Sequence, residues 1–128
     1  MTTILYCGDT ELNGAAGYLA AMMSHAGGGF EYVPSHVPLT LAHLDHPRSL
    51  FIFSDYPATQ LSPECQQRVL AAVKSGAGLL MIGGWESFRG HGGDWETSAL
   101  ADALPVSISS TDDRTNFDQP ALLRCLGD

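Results

Sequence analysis

LFIFSDYPATQLSPECQQRVLAAVKSGAGLLMIGGWE, residues 50–86, is the stretch from which the fold can be read. It opens on Leu50-Phe51-Ile52-Phe53, a continuously apolar run that stops at Ser54-Asp55-Tyr56-Pro57, the pattern of a strand covered on both faces in a parallel sheet. Ser62 then stands as a helix N-cap, Pro63 takes the first helical position, and Glu64 sits at the positive end of the dipole. Cys65, Val69, Ala72 and Val73 form one apolar stripe at helical spacing, and Gly76 supplies the stop. Leu79-Leu80-Met81-Ile82 is a second buried strand, running straight into Gly83-Gly84-Trp85-Glu86-Ser87-Phe88.

The flanks extend the same alternation. Ile4 to Cys7 reads as a strand ending in a turn at Gly8-Asp9, followed by a helix capped by Asn13, with Ala15, Leu19, Met22 and Ala26 on its apolar side and Gly27-Gly28-Gly29 at its end. Phe30 to Val33 is a short strand closed by Pro34, and Ser35 to Pro47 a connection. Beyond the turn, Gly90 to Gly93 mark a mobile loop, Ser98 to Leu104 a brief helix stopped by Pro105, and Val106 to Ser109 a fifth, alternating strand. The order implies a single α/β domain over residues 1–128, with a mostly parallel open sheet of about five strands and helices on its faces. Ligands of such sheets bind beyond the carboxyl ends of the strands. Gly8, Asp9, Ser54, Asp55, Tyr56, Gly83, Gly84, Trp85, Glu86 and Ser87 are therefore the candidate binding residues.

Composition removes several classes. The chain has 14 Asp and Glu against 6 Lys and Arg, a formal charge of −8, which argues against nucleic acid or an anionic membrane as partner. Hydrophobic residues make up 45% and charged ones 16%, enough apolar side chain for a sizeable core. No run approaches the ~18 apolar residues of a membrane span, and the N-terminus carries no basic leader, so a soluble, cytoplasmic protein is expected. Three cysteines without a CxxC pair fit a reduced compartment. Cys7 and Cys65 read as small buried hydrophobes, and Cys125 lies near the terminus without an adjacent base.

Two clusters invite a chemical reading. His36, His43 and His46 stand near Asp45, but their spacing matches no established ligand pattern, and Glu86, His91, Asp94 and Glu96 form a second candidate cluster of ligands or acid-base groups, with a solvated flexible loop the preferred account, so no metal is expected. Gly90-His91-Gly92-Gly93 lacks the Lys-Ser/Thr of a P-loop and the third glycine of G-x-G-x-x-G, so no nucleotide cofactor is expected either. Trp85, Phe88 and Trp95 line a pocket or an interface, with core packing the equal alternative for Trp85 and Phe88. Asp112-Asp113-Arg114 reads as an exposed turn.

Tyr6-Cys7-Gly8-Asp9 with Asn13 to Leu19, Phe53 to Ala58, and above all Gly83 to Phe88 through Leu100 to Val106 resemble the class I glutamine amidotransferase-like superfamily, in particular its cytoplasmic members related to trehalose-utilisation-type (ThuA-like) proteins. The resemblance implies a flavodoxin-like three-layer sandwich and places Gly83 to Ser87 at the strand-to-helix turn where active members keep a cysteine nucleophile and backbone amides stabilise an oxyanion. Here Trp85 or Glu86 holds the central position, and the only later histidine is His91. Relatives also continue past the fifth strand. Asp112 to Asp128, with Leu122, Leu123 and Leu126, is thus expected to be a shortened ending or to precede missing chain, with self-association as one way to cover exposed apolar surface.

The expected function is a domain without amidotransferase chemistry that binds a small molecule or another copy of itself. The alternative is a hydrolase with Glu86 as general base, joined by His91 and by Asp9 or Asp55. A third reading packs the tryptophan loop, through Trp95, against a second copy.

Overall fold

The computed structural model describes residues 3–120, 122 and 124. Its regular elements are β1 (Ile4–Gly8), α1 (Ala16–His25), β2 (Phe30–Val33), β3 (Leu50–Ser54), α2 (Pro63–Lys74) and β4 (Gly78–Ile82), with short 3-10 turns at Leu41–Leu44, Ala58–Gln60, Trp95–Thr97 and Ala101–Ala103. The four strands form one parallel sheet in the order β2-β1-β3-β4. This is an α/β fold of flavodoxin type.

Burial explains the apolar runs. Phe51, Ile52 and Phe53 lie in the central strand and are buried from both sides. Leu5, Cys7, Phe51 and Phe53 pack with Cys65 and Val69 of α2, whereas Tyr6 and Ile52 pack with Ala16 of α1. Alternate residues of one strand thus feed two cores, which gives three layers. The start of α2 is as the sequence implies: Ser62 Oγ accepts the Cys65 N–H at 3.2 Å, and Pro63 follows the cap. Such a cap contributes about 1 kcal/mol. Gly76, with φ +108°, ends the segment in a conformation that side-chain-bearing residues avoid.

Three local readings change. Helix α1 begins beyond Asn13, with Ala15 at its N-cap and no side-chain cap. Its buried residues are Ala16 and Ala20, while Met22 is 70% exposed. Ala16 and Ala20, with Leu19 and Met23 partly buried beside them, set this helix on the sheet, so Met22 falls off the expected apolar face. Strand β4 is an edge strand rather than a doubly covered one. Leu79 and Met81 pack against the α2 core, but Leu80 and Ile82 stay 43% and 36% exposed, because α1 reaches β1 and β3 and no described element covers this part of the sheet. Val106 to Ser109 form no strand. The chain after β4 folds back across the β3 end, with Trp95 in the core, so Ile108 packs beside the α2 layer instead of along β4. Cys125, Leu123 and Leu126 lie outside the described residues. Among those described, no helix is long and apolar enough to cross a membrane.

Candidate functional site

The tips of β1, β3 and β4 are joined by backbone geometry before any side chain takes part. Gly8 has φ +137°, and a Cβ there would fall 1.6 Å from the Ser54 carbonyl oxygen, so only glycine permits this approach. The Asp9 N–H donates to that same oxygen at 2.9 Å. Asp9 and Thr10 both take left-handed conformations, with φ 52° and 56°, and the Thr10 N–H donates to Ser35 Oγ at 2.9 Å. Tyr6 donates its hydroxyl to Asp9 Oδ2 at 2.5 Å, and Tyr32 donates to the Gly8 carbonyl at 2.8 Å. Burial raises both phenols, aided by the Asp9 charge: Tyr6 lies far above the ordinary tyrosine range, and Tyr32 is pushed up to about 12.

At the next tip Asp55 is also left-handed, with φ 47°. Its Oδ1 accepts the Glu86 N–H at 2.6 Å, and its own N–H donates to Ser87 Oγ at 2.8 Å. Gly84 lies against the same carboxylate, where a Cβ would come within 2.6 Å of Oδ1. Ser87 is 2% exposed, so its hydroxyl is committed to this junction. The exchange ties β3 to the turn after β4 by a hydrogen bond to a carboxylate, a class that contributes about 1.5–3 kcal/mol.

The turn is followed by an ordered loop rather than a helix. The His91 N–H donates to the Trp85 carbonyl at 2.7 Å, and the Trp95 N–H to that of Phe88 at 3.0 Å. Trp95 is wholly buried, 5.0 Å from the Phe53 ring, and its Nε1–H donates to the Tyr56 carbonyl at 2.8 Å. The Ala58 N–H donates to the Gly93 carbonyl at 2.8 Å. The mobile loop expected over Gly90 to Gly93 is therefore pinned at several points. Trp95, expected at a contact with another copy, is spent inside this one.

Beside the turn lies a cavity of about 330 Å3, lined by Gly83, Gly84, Trp85, Ser87 and Phe88 on one side and Asp113, Arg114, Thr115 and Asn116 on the other. Of the ten residues expected to bind, Gly83, Gly84, Trp85 and Ser87 border it. Asp55 and the Glu86 backbone support it from behind through their hydrogen bond. Gly8, Asp9 and Ser54 are joined to one another at the neighbouring tips. Tyr56 is buried in the α2 core, with its hydroxyl donating to the Val37 carbonyl at 2.7 Å. Glu86 is partly buried, and its side chain is not among those lining the cavity. His91 is exposed.

The far wall of the cavity carries no signature in the sequence. The Gly90 N–H donates to Asp113 Oδ1 at 2.7 Å, and the Arg114 guanidinium stacks 4.5 Å from the centre of the Trp85 ring. No local signal in Asp112 to Asn116 announces contact with a turn some thirty residues earlier in the chain. A larger hollow of about 500 Å3, between Glu96 and the segment Ala101 to Ile108, contains none of the strand-end residues.

The two sequence clusters resolve into structure. Arg89 pairs with Asp94 and, at 3.3 Å, with Glu96. His43 Nδ1 meets the Thr40 backbone and hydroxyl at 3.0 Å each, while His36 and His46 are exposed. Among the described residues, no group of three or more His, Cys, Asp or Glu side chains is placed to hold a metal ion. Both described cysteines are free and buried. Cys7 lies inside the sheet, where burial raises its thiol well above the usual range, and Cys65 Sγ lies 3.4 Å from the Leu39 carbonyl.

Residues 48–125, more than half of the chain, match the family model GATase1_like, described as "putative glutamine amidotransferase". The matched stretch includes β3, α2, β4 and both walls of the cavity. No curated protein matches the chain.

Proposed function

From a chain that belongs to the glutamine amidotransferase-like family, we propose a binding domain that keeps the strand-end scaffold without amidotransferase chemistry and takes a small molecule at the β4 turn. The observation that carries this reading is the Asp55 bond to Glu86. The backbone N–H just after Trp85, where an oxyanion would need a free donor, is engaged by a carboxylate at 2.6 Å. A negative charge in that position also repels a developing oxyanion. Trp85 and Glu86 offer no thiolate, and neither has the left-handed backbone that exposes a nucleophile at a strained turn. Cys7 and Cys65 are buried elsewhere. Glu86 lies outside the cavity lining, so binding is preferred to hydrolysis with Glu86 as general base.

The finer placement rests on lesser support. Two free, buried thiols fit a cytoplasmic setting, and the resemblance around Gly83 to Phe88 favours the ThuA-like members. The open β4 edge, with Leu80 and Ile82 exposed, favours self-association.

The test is ammonia release from glutamine by the purified protein. No release above the buffer rate is expected. Appreciable release that disappears in Trp85→Ala or Glu86→Gln would overturn the proposal.

A further inference from the structure

We propose that the Trp85 ring face and the Asp112 carboxylate together form a recognition site for a guanidinium group, occupied here by the chain's own Arg114. This deepens the binding reading above and rests on it. Arg114 makes both contacts that such a ligand would need. Its guanidinium carbon stands 4.5 Å from the centre of the Trp85 ring, inside the ~6 Å reach of a cation–π contact. Its Nε lies 2.9 Å from Asp112 Oδ1 and its Nη2 2.6 Å from Oδ2, the two-pronged match of a planar guanidinium with a carboxylate.

One anchor of the site is independent of the Arg114 side chain. The tail is tied to the loop by the Gly90 N–H bond to Asp113 Oδ1, one residue before Arg114. That bond keeps residue 112 beside the loop when the arginine side chain is removed, and Trp85 and Asp112 border one hollow. Trp85 is 67% exposed and accessible to an incoming group, and the adjoining cavity of about 330 Å3 can take the rest of a small ligand. The Arg114 hydrogen bonds, with a smaller contribution from nearby His91, hold the Asp112 carboxyl down at about 2, the favourable pairing that a ligand guanidinium would have to reproduce. The formal charge of −8 favours the approach of a cation. Arg114 thus acts as a tethered occupant that an external guanidinium must displace.

The test titrates parent and Arg114→Ala proteins with N-acetylarginine amide and with its neutral isostere, N-acetylcitrulline amide. The readout is the pair of indole N–H signals in the NMR spectrum, with that of Trp85 identified by its loss in Trp85→Phe. Arginine amide is expected to shift the Trp85 signal saturably and to bind Arg114→Ala roughly two- to fivefold more tightly than the parent, the factor set by one exposed cation–π contact. Citrulline amide should leave the signal in place. The buried Trp95 signal reports the fold, and Arg114→Gln replaces Arg114→Ala if that signal is lost.

Absence of a saturable shift in the folded variant, an equal response to citrulline amide, or equal affinity with and without Arg114 would each overturn the proposal. Ammonia release is measured on the same samples. Its appearance sinks the binding reading, whereas a failed titration without ammonia sinks only the guanidinium site.

Discussion

Trp85 and Trp95 stand ten positions apart in the same loop, and substituting each by alanine should have very different consequences. The Trp95 ring is wholly buried against Phe53 and donates to the Tyr56 carbonyl. A buried tryptophan removes about 150–250 Å2 from water. At ~25 cal/mol per Å2 that is about 4–6 kcal/mol, an upper bound because the unfolded chain already hides part of this area. Truncation of such residues costs about 3–5 kcal/mol, and the Tyr56 carbonyl left without its donor adds to the loss. Trp95→Ala is therefore expected to lose about 5 kcal/mol, a large share of the roughly 5–15 kcal/mol that holds a domain together. Trp85, 67% exposed, should lose no more than about 1 kcal/mol.

Urea unfolding followed by far-UV circular dichroism measures both, since tryptophan emission changes with the substitutions themselves. Trp95→Phe removes the indole N–H together with part of the ring and should fall in between, at about 1–3 kcal/mol. If Trp95→Ala and Trp85→Ala came out within about 1 kcal/mol of each other, the argument that Trp95 pins the loop to the β3 end would fail.

Asp55→Ala should lower stability by about 2 kcal/mol and increase hydrogen exchange at the Glu86 amide, while distant amides keep their protection; an unchanged Glu86 amide would contradict the Asp55 contact. Alkaline titration offers another check. Tyr32 holds its proton up to about 12 in the folded state against about 10 when unfolded, so its contribution is complete below pH ~10 and lost as pH rises towards 12. The urea midpoint should fall over that interval, with a smaller fall in Tyr32→Phe. Cys7 and Cys65, both buried, should resist alkylation by iodoacetamide in native buffer and react in urea, and rapid labelling of either in the folded protein would contradict their burial.

Legibility in the sequence followed the range of the forces involved. β3 and α2 were readable because their signals are local: a run of four apolar residues, and a Ser-Pro-Glu start with a periodic stripe. The exposure of β4 was hidden, since Leu79 to Ile82 look the same whether or not a layer covers the second face. α1 shifted because its buried positions are alanines, which carry little hydrophobic signal, with Leu19 and Met23 packed beside them and Met22 left outside. Val106 to Ser109 alternate like a strand, but pairing requires a free edge within reach, and that depends on where Trp95 carries the chain. At the site, the glycine turn was visible as composition. The use of Asp55 to occupy the Glu86 amide, and of Asp113 and Arg114 to build the opposite wall, depends on contacts 23 to 32 residues apart or on left-handed backbone, which single-sequence periodicity does not encode.

The sheet order changes direction between β1 and β3, the seam where open α/β folds ordinarily admit their ligands. At that seam Gly8 rests on the Ser54 carbonyl so closely that a single methyl group cannot be inserted. Main chain joins the two strand tips there, and separating them would require moving two core strands. The cavity lies one strand outward, at the end of β4, where one wall is a glycine turn and the other a surface tail. Its lining, Trp85, Phe88 and residues 113–116, can change while the sheet beneath keeps its register. The cavity walls and the sheet core are thus built from largely separate residues, with Asp55 the hinge-pin between them.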